Sequence, residues 1–331
     1  MVGVPYVLRR RPTSMHVFGA VLIAAMVLQR PLVDFVHSSP TLATAATVFA
    51  GVFVQAAPFL VLGVLISGVI AAFVSPRVLR SVLPRRESVA VGVAGLAGAA
   101  LPGCECGAVP VARRLMDQGA PSAVAVTFLL SAPAINPVVL VATAVAFPGE
   151  PKMVVARLVG SLATAWVMGL LWSRFGRTEW ITARLGSHDV DPGGSRWAVF
   201  AESARHDLLQ AGSYLVLGAA AAAALNVLVP QWIYEHLAGQ VILAILVMAL
   251  LAVVLALCSE ADAFVVASLS MLPLLPRLVF LVVGPAVDVK LIAMQAGSFG
   301  RGFAARFAPL TFVVAIACAC AAGYLVLGGI R

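Results

Sequence analysis

The residues with the most chemical potential lie in ALPGCECGAVPVARR, residues 100–114, where Cys104 and Cys106 flank Glu105. Thiolates select soft, thiophilic centres, and a local turn would bring both sulfurs onto one ion. Glu105 interrupts a very apolar stretch. At mid-membrane depth a lipid-facing carboxylate costs roughly 2–4 kcal/mol, so it must line a cavity or have a partner. A second stretch, LALCSEADAFVVASLSMLPLLP, offers Cys258, Ser259, Glu260 and Asp262. A third motif occurs twice, as SAPAINPVVL and VGPAVDVKLI. Each copy sets a polar residue, Asn136 or Asp288, three positions after a proline, and the second adds Lys290. Asn136-Pro137 removes a backbone donor, so the carbonyls it frees are expected to line a solute path. A buried lysine needs a counter-charge; Asp288, Glu105 and Glu260 are the candidates.

The expected site therefore has three parts. Cys104, Cys106 and Cys258 would ligate a metal or metalloid; Glu105 and Asn136 would join them in holding the solute. Glu260, Asp262, Asp288 and Lys290 would carry protons. Two other groups are set aside. His188, Asp189 and Asp191 fall in a Pro/Gly-rich turn that reads as solvated. Cys318 and Cys320 lie two apart in VAIACACAAG, so on a helix they point about 200° apart and read as packing residues.

The elements that position these residues are membrane helices. Of 331 residues, 62% are hydrophobic and 11% charged, where a soluble domain carries about 25% charged residues. Mean hydropathy is +1.03. No ~10-residue alternating segments suggest a barrel. The net charge of +8 is not a nucleic-acid signal, because the arginines cluster in short gaps between apolar runs. Neither lysine, Lys152 or Lys290, follows a glycine, so no Walker nucleotide site is expected. Nothing points to an enzyme or to a bound cofactor. The basic start and the apolar core Val17–Leu28 resemble a signal peptide, but no small-x-small cleavage site follows; this is read as a retained first helix.

The chain repeats internally. QAAPFLVLG at 55–63 matches QAGSYLVLG at 210–218; Cys104 maps near Cys258; APAINPVVLVATA at 132–144 maps onto GPAVDVKLIAMQA at 284–296. The expected organisation is 1–42, an N-terminal segment with the first helix; 43–175, repeat 1; 176–205, a cytoplasmic linker; and 206–331, repeat 2. Charge decides how the repeats run. If 88–103 and 239–257 both cross, Lys and Arg outside the spans split ten against nine, with nine spans and parallel repeats. If each dips in and returns as a re-entrant hairpin, sixteen arginines fall on one side and Lys152, Arg277 and Arg331 on the other. The positive-inside rule prefers the second scheme. The sequence thus predicts an all-α, polytopic protein with about seven full spans plus two hairpins, in two inverted repeats. The N-terminus would be cytoplasmic and the membrane the cell's inner one.

PGCECGAVP at 102–110, FLLSAPAINP at 128–137, CSEADAF at 258–264 and GPAVDVK at 284–290 together resemble the signature blocks of the ArsP/YraQ-like permease family. The resemblance covers about residues 45–329. It implies a membrane permease; some members of that family export trivalent organoarsenicals. Glu105 departs from the pattern, since many members carry a small residue between the cysteines. The expectation is a secondary transporter of a thiophilic metal or metalloid, or of a small thiol-reactive solute, exporting it with proton coupling. Two alternatives remain at this level: a dithiol redox or thiol-transfer protein, and the membrane subunit of a system that needs a partner ATPase.

Overall fold

The computed structural model describes residues 39–74, 79, 81, 83–84, 86–100, 105–181, 195–228, 240–269 and 272–328. The expected first helix near 15–36, Cys104, the turn at His188–Asp191, and Trp232 and Tyr234, which the sequence suggests for an interfacial belt, lie outside them. By internal contacts the chain divides into Met1–Thr47 and Val48–Arg331. Every regular element described is helical: α1 (Pro40–Phe73), α2 (Glu87–Ala97), α3 (Glu105–Asp117), α4 (Ser122–Ile135), α5 (Pro137–Ala146) and α6 (Pro151–Phe175). There follow α7 (Arg196–Leu228), α8 (Val241–Leu255), α9 (Asp262–Ser268), α10 (Leu274–Ala286), α11 (Val289–Ser298) and α12 (Arg301–Leu327).

Six stretches among the described residues are long and apolar enough to cross a bilayer: 40–73, 122–146, 151–175, 196–224, 274–298 and 301–327. The chain is therefore a multi-pass membrane protein. Helices 87–100 and 241–255 are apolar but shorter than a span. At 1.5 Å per residue, α8 reaches about 22 Å, less than the ~30 Å of hydrocarbon. α7 begins at Arg196, inside the stretch 176–205 expected as the linker. α9 stops at Ser268 and α10 starts at Leu274, after Pro273.

Two spans are broken in the middle, and the sequence explains the first break. Pro137 has no N–H to continue α4, and a residue before proline is pushed out of the α region. Asn136 accordingly sits at φ −66°, ψ 153°. Val287 and Asp288 are also extended, two and three residues after Pro285. These two broken spans are the most enclosed of the six, 72% and 83% buried, against 33–44% for the others. Helices apolar on every side belong in a core.

Packing ties the first half of the chain to the second. α6 lies along both α4 and α12, α3 packs on α11, and α5 packs on α9. Some approaches are backbone on backbone. A Cβ on Gly63 would fall 2.3 Å from the Gly107 carbonyl oxygen, and one on Gly218 would fall 2.7 Å from Lys290 Cα. Gly63 and Gly218 are the equivalent last residues of the repeated QA-x-x-x-LVLG stretch. Small residues at such crossings let membrane helices close in.

Candidate functional site

The second half of each broken span begins with a side-chain cap. Asn136 Oδ1 accepts from Val139 N at 2.9 Å, while its Nδ2 donates to Ala132 O at 3.2 Å. Asp288 Oδ1 accepts from Leu291 N at 2.5 Å. Both caps are fully buried. The Asn136 amide thus bonds to the carbonyl of the preceding turn as well as capping the next helix, a use of the side chain that the sequence did not suggest.

Glu105 opens α3 and is fully buried. Its Oε1 lies 2.5 Å from Lys290 Nζ, on the first turn of α11, and that same Nζ stands 3.9 Å from Asp288 Oδ2. Of the three counter-charges considered, Lys290 takes Glu105 closely and Asp288 at longer range. Cys106, next to Glu105, is fully buried. One acid from the first half of the chain and one acid and one lysine from the second therefore meet at the start of α3, with buried Cys106 the next residue along it.

Asp262 opens α9 and has a different partner. Its Oδ2 lies 2.9 Å from Arg157 on α6. Arg157 is fully buried and fills its fork: one terminal nitrogen donates to Thr143 Oγ1 at 2.8 Å, the other to Ser259 O at 3.0 Å and to Asp262. Between Leu255 and Asp262 the chain is non-helical, with Ala256 in the left-handed region at φ 48°. There Cys258 Sγ donates to Glu260 Oε2 at 2.6 Å.

A family of predicted permeases, ArsP_1, matches residues 41–324. The chain belongs to that family. A protein of Streptococcus mutans named "Putative two-component membrane permease complex subunit" is 32% identical over 289 residues, covering 85% of this chain and 96% of that protein. The Bacillus subtilis "UPF0718 protein YcgR" is 34% identical over 275 residues, covering 82% of this chain and 93% of its own length. No solved structure matches the chain.

In this permease Cys106 is on α3 and Cys258 is bonded to Glu260; among the described residues no three His, Cys, Asp or Glu side chains come together as a metal cage. Cys104 lies outside the described residues. Cys318 and Cys320 are partly exposed on α12. An apolar cavity of about 420 Å³, lined by Ile66, Ile70, Val93, Val111, Leu115 and Phe128 among others, carries none of the residues named for the site.

A third polar cluster joins the far ends of several helices. Arg114 meets Asp207 Oδ2 at 3.1 Å and Ser67 Oγ at 3.4 Å; Ser67 in turn donates to Asp207 at 2.6 Å. Arg113 pairs with Asp117 at 3.5 Å and donates to the Ser298 carbonyl. Gln210 donates to Gly297 O at 3.0 Å. Burial pushes the Asp117 carboxyl above its ordinary range, and the Arg113 and Arg114 guanidiniums pull it part of the way back. Nearby, Trp172 stacks edge-on with Phe303 and Phe307, and the Arg306 guanidinium lies 5.0 Å over Trp180.

Sequence reasoning missed Arg157, Thr143 and Asp207. Arg157 left a signal: it is a cation deep inside the apolar run 153–175, where Arg174 stands only at the end, and such a residue needs a named partner. Thr143 left none, because a threonine in a membrane helix ordinarily bonds its own backbone, as its hydroxyl also does here to Val139 O at 2.7 Å.

Proposed function

We propose that this permease is a secondary transporter that moves a thiophilic metal or metalloid, or a small thiol-reactive solute, out of the cell across the inner membrane, coupled to protons. The observation that carries the reading is the buried trio Glu105, Lys290 and Asp288 beside Cys106. With all three ionised the trio holds one net negative charge in a site without water contact. An uncompensated buried charge costs several kcal/mol. Uptake of one proton removes it, so solute binding at the neighbouring thiol and proton occupancy of the acids are linked. Cys104 and Cys258 would add ligands to Cys106, Asn136 would position the solute, and Glu260 would pass protons on the second side, where Arg157 holds Asp262. The exchangeable oxygen or water ligands of a soft solute would be replaced by sulfur, which carries it past mid-depth.

The proposed architecture is two inverted repeats, 43–175 and 206–331, joined by a cytoplasmic linker, each with one re-entrant hairpin (α2–α3 and α8–α9). Two observations support it. The helix order of α1–α6 recurs as α7–α12, down to the capped break in the fourth and fifth helices. The contacts at Arg113 and Arg114 also favour hairpins. If 88–103 and 239–257 each crossed, Ser67 and Ser298 would lie at the opposite membrane face from Arg113, Arg114 and Asp207. Instead these five residues touch. The excess of arginine at this end makes it the cytoplasmic one.

The test is solute bound per purified protein, with trivalent arsenicals, antimonite, zinc and copper offered in turn. Cys106→Ser and Cys258→Ser are each expected to abolish binding, as is Cys104→Ser; Cys318→Ser and Cys320→Ser retain it. Equal loss from the 318/320 pair, or no loss from Cys106→Ser, rejects the site. A second reading has one observation in its favour: the Streptococcus mutans relative is named as a subunit of a two-component permease complex. Under that reading this chain is the solute path and a partner protein completes the transporter. Co-purification of a stoichiometric second chain decides it.

A further inference from the structure

Three inter-helix polar clusters have been described, and they differ in how far water reaches them. The Arg157–Asp262 side chains are 0% and 2% exposed, and Lys290–Glu105 are 1% and 1%. Arg114–Asp207 are 12% and 13% exposed, and Asp117 is 24% exposed. A pair that water reaches exchanges its contacts for hydration at little cost; a dry pair cannot. The more exposed cluster also fastens four helices to each other. It joins the C-terminal parts of α1 and α3 to the first half of α7 and the end of α11, through Ser67, Arg113, Arg114, Asp207 and the Ser298 carbonyl. α3 and α11 are the helices whose opposite ends carry Glu105 and Lys290. Separation at Arg114–Asp207 therefore opens a way along α3 toward Cys106, while Arg157, held by Thr143, Ser259 and Asp262, keeps the other side shut.

We infer that Ser67, Arg114 and Asp207, with Arg113 and Asp117 beside them, form the latch of a gate. This gate opens first, from the end of the protein that bears the two arginines. The structure is the latched state. The inference rests on the permease reading for its purpose, but not for its test, which needs no solute.

Cys106 serves as the reporter. In the full-length chain with the other four cysteines changed to serine, a membrane-impermeant maleimide is added to one face or the other of oriented vesicles, and the rate of Cys106 labelling is measured. Asp207→Asn is expected to raise the rate from the arginine-bearing face about fivefold, the factor that 1 kcal/mol carries, and to leave labelling from the opposite face unchanged. Ser67→Ala gives a smaller rise in the same direction. Arg174→Gln, an exposed residue at the end of α6, changes neither rate. As a check on variants that fold poorly, Ser67→Cys with Asp207→Cys, oxidised to a disulfide, suppresses labelling and a reductant restores it. An unchanged rate in well-folded Asp207→Asn, an equal rise from both faces, or labelling that survives the crosslink overturns the gate. If labelling behaves as expected but no solute is ever moved, the gate stands and the transporter reading fails.

Discussion

Two buried ion pairs cross between the halves of this permease, and their cations differ. Glu105 opens α3 and meets Lys290; Asp262 opens α9 and meets Arg157. Both acids stand in the first turn of their helix, and both cations come from the other half of the chain. Arginine keeps its charge in any protein site, and its planar fork is here spent on three partners at once. Lysine is a compact point charge on a flexible stem, and Lys290 sits between two acids. Under the proposed mechanism the arginine pair is the joint between the halves, and the lysine trio is the part that exchanges protons.

The comparison breaks most visibly at Arg157. Arg157→Leu leaves Asp262 buried without its cation, at a cost of about 3–5 kcal/mol. The expected result is a strong drop in the yield of monodisperse protein and in its melting temperature, largely recovered when Asp262→Asn is added. Arg157→Lys does not recover it, since a lysine has no fork to reach Thr143, Ser259 and Asp262 together. If Arg157→Lys is as stable as the parent, the joint is not the fork described here.

Glu105→Gln sharpens the contrast from the other side. It keeps the shape and leaves Lys290 with Asp288, so the fold survives. Solute binding is expected to lose its dependence on pH and transport to fall by about tenfold or more, in the range that loss of a positioned proton carrier costs. Asp262→Asn leaves Arg157 without its carboxylate and acts mainly on stability. A pH profile that is unchanged in Glu105→Gln but flattened in Asp262→Asn would exchange the two roles.

The caps give a smaller measure of the same asymmetry. Asn136→Ala removes a cap and is expected to cost about 1 kcal/mol, as such caps do. Asp288→Ala removes an equivalent cap and a charge facing Lys290, so its effect on melting temperature is larger and depends on whether Glu105 is present. Additive effects of Asp288→Ala and Glu105→Gln would separate the cap from the trio.

The smallest expected effect lies at the wet cluster. Burial raises the Asp117 carboxyl, so this residue favours folding while protonated. That contribution is full below its unfolded range and is lost as pH rises through the folded value. Asp117→Asn should melt at the same temperature as the parent in acid and slightly above it near neutrality. The opposite order would mean that the Arg113 and Arg114 pairs outweigh burial.

The sequence by itself determined which residues had to be buried and explained. A carboxylate at 105, an aspartate at 288 and a lysine at 290 in apolar runs each need a partner, whatever the fold, because hydrocarbon solvates no charge. Pro137 alone dictated the extended conformation at Asn136, since the clash between a proline ring and the residue before it is local. The matched stretches at nearly one spacing, on which the proposal of two repeats rests, were legible too. Only the tertiary structure decided who pairs with whom. Asp288 is two residues from Lys290 and was the nearest candidate in sequence, yet it caps its own helix, and the closer contact goes to Glu105, 185 residues away. Asp262 chose Arg157 over any thiol-side partner for the same reason. Coulomb attraction falls with distance through space and takes no account of distance along the chain, so the packing of α3 on α11 and α9 on α5 set the pairs.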